Sequence, residues 1–229
     1  MSDLINLEKK ITVDFKNKAL FKEALTHRSY LNENPNRGLS QNERLEFLGD
    51  AVLELIVSVY LFQNYPTKPE GELTAFRAAL VNYQMLAKIA SEIDLGTFIL
   101  LSRGEAKDTG RAREVILANA FEALIGAIYL DQGLEKSKTF IAKNVLKELP
   151  QIIEQGLFKD AKSLFQEFAQ EKLGITPTYN VLSETGPDHN KIFRVGVFLN
   201  SDLIAEGEGP SKQEAELEAA KNAIRVKGW

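Results

Sequence analysis

The first half of the fold is decided by the stretch from Asn42 to Leu53, which reads NERLEFLGDAVL. Apolar residues recur at helical spacing through this stretch and on to residue 59. At about 100° per residue they fall on one side of a helix. The pattern predicts a long amphipathic helix that packs against the core. The apolar face consists of Leu45, Leu48, Val52, Leu55, Ile56 and Val59.

Three carboxylates share the other side of this predicted helix. Glu43, Glu46 and Asp50 are spaced i, i+3 and i+7, which places them within roughly 60° of arc. Most such trios form a solvated stripe on a surface helix. Here the same side continues into the apolar residues Leu53 and Val57, so the acids lie where solvent gives way to core. Carboxylates at such a boundary often bind metal ions or have shifted pKa values.

A second helix is predicted from Arg113 to Leu130, and it carries Asn119 and Glu122 in an otherwise small and apolar stretch. A carboxylate in such surroundings needs a partner, because an unpaired buried charge is very costly. A cation bound jointly with the first helix would be that partner. The chain has no cysteine and two histidines. Oxygen ligands without thiolates suit Mg²⁺ or Mn²⁺ rather than zinc.

The pattern along the 229 residues predicts two domains. Residues 1–149 lack strand alternation, and further helices are predicted at 18–26, 72–93 and 134–146. After residue 158 the order is helix (161–173), three strands (179–183, 192–199 and 203–206) and a last helix from about 211 to 226. We therefore predict a mainly α fold. It comprises an all-helical domain at 1–150, a linker at 151–158 and a small α+β domain of α-β-β-β-α order at 159–229.

Composition excludes several classes of protein. The net charge is −4: residues 156–229 hold 9 Lys and Arg against 11 Asp and Glu, and the remaining residues hold 19 against 21. Neither half has the positive excess typical of nucleic-acid binders, so any such binding must come from locally placed groups. The absence of cysteine excludes disulfides and cysteine nucleophiles. The longest apolar stretch, Ala51 to Phe62, is too short for a membrane span and contains Glu54. The N-terminus lacks a secretory signal pattern, so we predict a cytoplasmic protein.

Four motifs together resemble the ribonuclease III family. The stretch Asn42–Leu53 is similar to the signature helix of that family, and Ala24–Tyr30, Pro69–Leu73 and Phe121–Ala127 match further motifs in the expected order. The resemblance spans nearly the whole chain. It implies a homodimeric, Mg²⁺-dependent endonuclease specific for double-stranded RNA, with Mn²⁺ as a possible substitute and no organic cofactor. The implied products carry 5′-phosphates, 3′-hydroxyls and a short 3′ overhang, and the implied role is processing of rRNA and mRNA precursors.

The resemblance also implies residue roles. The family usually has an aspartate where this chain has Asn119, and an amide oxygen can ligate Mg²⁺ but brings neither charge nor basicity. We therefore expect an altered metal affinity or preference, with activity retained because Asp50 and Glu122 are intact. Bound metal would activate water and neutralise charge on the phosphate, so no protein nucleophile is required. The implied catalytic residues are Glu46, Asp50 and Glu122, the metal ligands are these three with Asn119, and the supporting acids are Glu43 and Glu70.

The second domain resembles a double-stranded RNA-binding domain, which reads the A-form duplex by its shape. Ser211 followed by Glu214 fits a capping box, which alone indicates only the start of a helix. A glycine-flanked helix N-terminus with a lysine in its first turn is also a phosphate site. The usual pattern has a basic residue at Gln213, so we predict weakened, salt-sensitive binding. The implied RNA contacts are Ser163, Gln166 and Glu167 in one minor groove, Pro187, Asp188 and His189 in the next, and Lys212 and Gln213 at the phosphates between them.

Two other interpretations compete with the enzyme. A catalytically inactive double-stranded RNA-binding protein on the same fold is supported by Asn119, but the retained acids argue against it. A structural RNA-binding subunit of a larger particle would be a basic chain with tails, whereas this chain is acidic.

Overall fold

The computed structural model of the chain describes residues 2–156, 158, 161–187 and 191–229. The chain divides into two compact units, Met1–Phe158 and Lys159–Trp229. The described part of the first unit is helical, with its two longest helices, α4 and α7, at the centre. Its helices are α1 (Ser2–Ile11), α2 (Lys18–Ala24), α3 (Arg28–Glu33), α4 (Glu43–Asn64), α5 (Glu70–Val81), α6 (Tyr83–Glu92), α7 (Arg111–Gln132), α8 (Leu134–Asn144) and α9 (Leu149–Glu154).

Two glycines bring α4 and α7 into close contact. A Cβ atom at Gly49 would collide with the backbone carbonyl oxygen of Glu122, and a Cβ atom at Gly126 would collide with that of Leu45. The helices therefore approach closely enough that any side chain at these positions would force them apart. Because residue 45 meets residue 126 and residue 49 meets residue 122, the two helices run antiparallel.

The buried side of α4 differs from the predicted one. Leu55 and Val59 were expected in the core but are 53% and 39% exposed. Leu53 and Val57 are fully buried, which confirms that the acidic side passes into the core beyond Asp50. The physical reason is the position of α7, which packs against the side of α4 that carries Gly49 and so turns the buried face toward the carboxylates.

The helix predicted at 72–93 is in fact two helices. Asn82 adopts an extended backbone between α5 and α6, and its side-chain oxygen accepts a hydrogen bond from the backbone N–H of Met85 at 2.9 Å. Asparagine favours such a cap, because its side chain satisfies an N–H that the first turn leaves unpaired. The helix α1 was not predicted, although Leu7 and Ile11 on it are buried.

The segment 151–158, expected to be a linker, begins inside α9. Ile152 is buried in the core of the first unit. Beyond α9, the ring of Phe158 packs edge-on against Phe76, with 4.6 Å between the ring centroids. The described residues of this segment thus add to the packing of the first unit.

The second unit has the predicted α-β-β-β-α order. Helix α10 (Ala161–Leu173) is followed by β1 (Thr178–Thr185), β2 (Ile192–Leu199) and β3 (Asp202–Gly209), which form an antiparallel sheet in the order β1-β2-β3, and by α11 (Lys212–Lys227). Ser211 caps α11 by accepting a hydrogen bond from the backbone N–H of Glu214 at 3.2 Å, as predicted. Over the part of the chain that the structure describes, no helix is both long and apolar enough to cross a membrane.

Candidate metal centre and RNA-binding surface

The packing of α4 against α7 brings three predicted site residues together. Asp50 is exposed, while Glu46 and Glu122 are half-buried. Burial, followed by the charges of Asp50, Glu46 and Glu54, raises the pKa of Glu122 to about 8. Burial also raises the pKa of Glu46, with further contributions from the charges of Glu43 and Asp50. Glu46, Asp50 and Glu122 therefore interact electrostatically, and we call these three residues the α4–α7 carboxylate cluster.

The chemistry of this cluster fits a divalent cation. Its donors are carboxylate oxygens, which Mg²⁺ and Mn²⁺ prefer. Within the described ranges, no three Asp, Glu or His side chains are already placed to ligate one ion. The unfavourable charge on Glu122 is what a bound cation would relieve.

Asn119 lies on α7 one turn before Glu122 and is half-buried. The spacing i, i+3 places its amide on the same side of the helix as the Glu122 carboxylate. Glu54 was not predicted as a site residue. It lies one turn beyond Asp50, and a search of α4 for further acids at i+4 spacing would have found it.

The supporting acids differ in their placement. Glu43 begins α4, and its carboxylate lies 3.5 Å from the Arg28 guanidinium. Its charge helps to raise the pKa of Glu46. Glu70 begins α5 and is exposed, and its carboxylate accepts a hydrogen bond from the Thr74 hydroxyl of the same helix at 2.9 Å. The structure therefore joins Glu43 to the carboxylate cluster and shows Glu70 bonded within α5.

The motif at residues 24–30 fixes the start of α4. The buried Asn42 donates its backbone N–H to the carbonyl of Thr26 at 2.9 Å and its amide Nδ2 to the carbonyl of Ala24 at 3.3 Å. The adjacent His27 caps α3 by accepting from the backbone N–H of Ser29. These bonds hold the first turn of α4, with Glu43 and Glu46, against the segment that carries Arg28.

Comparison with known proteins decides the family. Residues 17–149 match the family model described as Ribonuclease-III-like, and residues 161–227 match the double-stranded RNA binding motif. This chain belongs to the ribonuclease III family. The chain is 47% identical over 226 residues to Ribonuclease 3 of Nitratiruptor sp., covering 99% of this chain and 97% of that protein. It is also 47% identical over 225 residues to Ribonuclease 3 of Carboxydothermus hydrogenoformans, covering 98% and 95%.

Two solved structures of the ribonuclease III nuclease domain from Campylobacter jejuni resemble the first unit. One is 45% identical with a TM-score of 0.59, covering 66% of this chain and 99% of that chain. The other is 46% identical with a TM-score of 0.57, covering 63% and 97%, and it describes flexibility in a region involved in dimer formation of that domain. The predicted ribonuclease III family, fold class and enzyme class are thereby confirmed.

On the second unit, three predicted RNA contacts lie on α10. Ser163, Gln166 and Glu167 are exposed on one side of this helix and line a shallow depression. Pro187 is exposed just after Gly186, whose φ of +92° suits glycine. The predicted contacts Asp188 and His189 lie outside the described residues.

The N-terminus of α11 carries the predicted phosphate contacts. Lys212 and Gln213 are exposed in its first turn. The Lys212 ammonium lies 3.4 Å from the Glu184 carboxylate and 5.6 Å from the centre of the Phe193 ring. Glu184 also faces the Lys191 ammonium at 3.9 Å. A carboxylate therefore competes with phosphate for these ammonium groups. This contact could not be predicted from local sequence, because Glu184 lies 28 residues before Lys212.

Proposed function

We propose that the chain cuts double-stranded RNA at the α4–α7 carboxylate cluster with the help of Mg²⁺, which Mn²⁺ can replace. The observation that carries the proposal is the close packing of α4 against α7, which sets the half-buried Glu122 beside Glu46 and Asp50 in a chain of this family. The proposed metal ligands are Glu46, Asp50, Asn119 and Glu122, and the proposed catalytic residues are the three carboxylates among them.

The residues of the cluster suit hydrolysis without a protein nucleophile. A bound divalent ion supplies Lewis acidity toward the phosphate and lowers the pKa of water. Glu122, half-buried next to other acids, holds a proton near neutral pH in the free protein and releases it when positive charge is supplied. Glu43 and Arg28 border the cluster at the start of α4, and we propose that Glu43 and Glu70 support the positioning of metal or substrate. The proposed products carry 5′-phosphate and 3′-hydroxyl ends with a short 3′ overhang.

We propose a homodimer formed through the outer side of α4. Phe47, Phe62 and Leu55 are 81%, 74% and 53% exposed and lie within roughly 80° of arc on that helix. Large exposed apolar side chains grouped in this way mark interaction surfaces. The related Campylobacter jejuni nuclease domain, whose structure describes a region involved in dimer formation, supports a dimer for this chain as well. Each copy then contributes one cutting centre.

The second unit is proposed to hold the duplex through α10, the turn between β1 and β2, and the start of α11. This proposal rests on the match to the double-stranded RNA binding motif and on the exposure of the described contact residues. We further propose a cytoplasmic role in processing rRNA and mRNA precursors. The proposed RNA contacts are Ser163, Gln166, Glu167, Pro187, Asp188, His189, Lys212 and Gln213.

The decisive experiment incubates the chain with a long RNA duplex in Mg²⁺, in Mn²⁺ and in chelator. The wild type is expected to cut in either metal, and Glu122→Gln is expected to lose cleavage by at least about a hundredfold while still binding the duplex. Glu114→Gln is the matched control, because this exposed acid lies on α7 about 12 Å along the axis from Glu122. Binding without cleavage by the wild type in both metals would leave the inactive RNA-binding protein as the function.

A further inference from the structure

We infer that Glu54 supplies the negative charge that Asn119 does not bring to the α4–α7 carboxylate cluster, and that it acts as an additional metal-positioning residue. The inference rests on the proposed function, because it concerns the same metal centre. It assigns to α4 the charge that the resemblance to the family implies at position 119 of α7.

The helical register places Glu54 in line with the predicted ligands of α4. Glu46, Asp50 and Glu54 are spaced i, i+4 and i+8, so each is rotated by about 40° and raised by about 6 Å relative to the one before. Glu54 is exposed, and it makes no ion pair or hydrogen bond with any part of the chain that the structure describes. Its carboxylate is therefore available to a cation rather than committed to a protein partner.

The antiparallel packing places Glu54 near the end of the contact where Asn119 lies. Gly49 meets Glu122 where the two helices touch. Moving five residues forward along α4 reaches Glu54, and moving three residues back along α7 reaches Asn119, so both steps lead toward the same end of the contact. The electrostatics agree with this register, since the charge of Glu54 acts on Glu122 across the helix pair.

The charge of the cluster explains why the position of Glu54 matters. Glu46, Asp50 and Glu122 carry three negative charges when ionised, and an aspartate at position 119 would add a fourth. Glu54 restores that fourth charge from α4, about 3 Å farther from the contact along the helix axis than Asn119. Mg²⁺ retains several waters in proteins, so a carboxylate can hold the ion without touching it.

The test measures binding of Mn²⁺ to the full chain by isothermal titration calorimetry, without RNA. Glu54→Gln is expected to weaken binding by about tenfold, because it removes one negative charge near the cation. Asn119→Asp in that background is expected to restore affinity to within about threefold of the wild type, since it returns the charge from α7. Glu114→Gln is the matched control and is expected to leave affinity unchanged.

The outcomes separate this inference from the proposed function. If Glu54→Gln binds Mn²⁺ as the wild type does while Glu122→Gln does not, the metal centre stands and the role of Glu54 is wrong. If Glu54→Gln weakens binding but Asn119→Asp does not restore it, Glu54 does not replace the missing aspartate. If the wild type and Glu122→Gln bind Mn²⁺ equally, the proposed metal centre itself fails. The rise of melting temperature with Mn²⁺ gives a second readout that is independent of cleavage.

Discussion

At the scale of single residues, the raised pKa of Glu122 makes the stability of the folded chain depend on pH. Its pKa lies at about 8 in the folded chain, against 4.5 for an ordinary glutamate. Below pH 4.5 the carboxyl is protonated in both the folded and the unfolded chain, so it does not change the free energy of unfolding. As the pH rises from 4.5 to 8, the unfolded chain releases the proton that the folded chain keeps, and the free energy of unfolding falls. Above pH 8 the carboxyl is ionised in both states, and the loss in the free energy of unfolding has reached its full size.

Glu122→Gln is therefore expected to stabilise the metal-free protein at alkaline pH. The melting temperature of the variant in chelator should exceed that of the wild type at pH 8.5, and the difference should vanish near pH 4.5. Circular dichroism melts across this range measure it, with Glu114→Gln as the control that shows no such trend. A variant that melts at or below the wild type at pH 8.5 would contradict the raised pKa of Glu122.

At the scale of helices, the contact between α4 and α7 depends on Gly49. The substitution Gly49→Ala places a Cβ atom against the backbone carbonyl of Glu122, which cannot yield as a flexible side chain would. We expect the helices to separate and the free energy of unfolding to fall by about 2–4 kcal/mol. Urea denaturation measures this change. The matched control is Gly71→Ala on α5, where nothing lies within 4 Å of an added Cβ atom. That variant should be at least as stable as the wild type, and equal losses in both variants would argue against close packing at Gly49.

The ion pair between Glu184 on β1 and Lys212 at the start of α11 predicts an effect on RNA binding. Glu184→Gln removes the carboxylate that lies beside Lys212 and Lys191. The affinity for a short RNA duplex should rise about three- to tenfold, and the salt dependence should steepen because a further ammonium contacts phosphate. Fluorescence anisotropy at several salt concentrations measures both. The gain should largely disappear in a Lys212→Gln background, and a gain of equal size there would show that Lys212 is not involved.

The elements were predictable from sequence wherever local signals decide them. The bounds of α10 and the cap at Ser211 follow from spacing, glycine and capping chemistry, which act within a few residues. The buried side of α4 did not follow, because it depends on which helix packs against Gly49. Glu54 was predictable from its i+4 spacing after Asp50, but its place in an apolar stretch was interpreted only as evidence against a membrane span.

At the scale of the whole molecule, the apolar outer side of α4 predicts association. Phe47 is 81% exposed, so its removal should not weaken the fold of the single chain. If two copies join through this side about a twofold axis, the substituted residue of each copy lies in the interface, so its effect on the free energy of association is doubled. Loss of about 2 kcal/mol of apolar burial per copy then costs about 4 kcal/mol per dimer, which raises the dissociation constant of the dimer roughly a thousandfold.

Phe47→Ala should therefore be monomeric at concentrations where the wild type is a dimer, with an unchanged circular dichroism spectrum. Sedimentation velocity across a dilution series measures the dissociation constant. The matched control is Ile5→Ala, because Ile5 is 50% exposed on α1 rather than on α4.

Because one centre remains in each copy, the monomeric variant should still bind Mn²⁺. Its cleavage of duplex RNA should fall, since in the proposed dimer each centre cuts one of the two strands. A wild type that stays monomeric at all concentrations would contradict the proposed dimer, and an unchanged dissociation constant in Phe47→Ala would place the interface elsewhere.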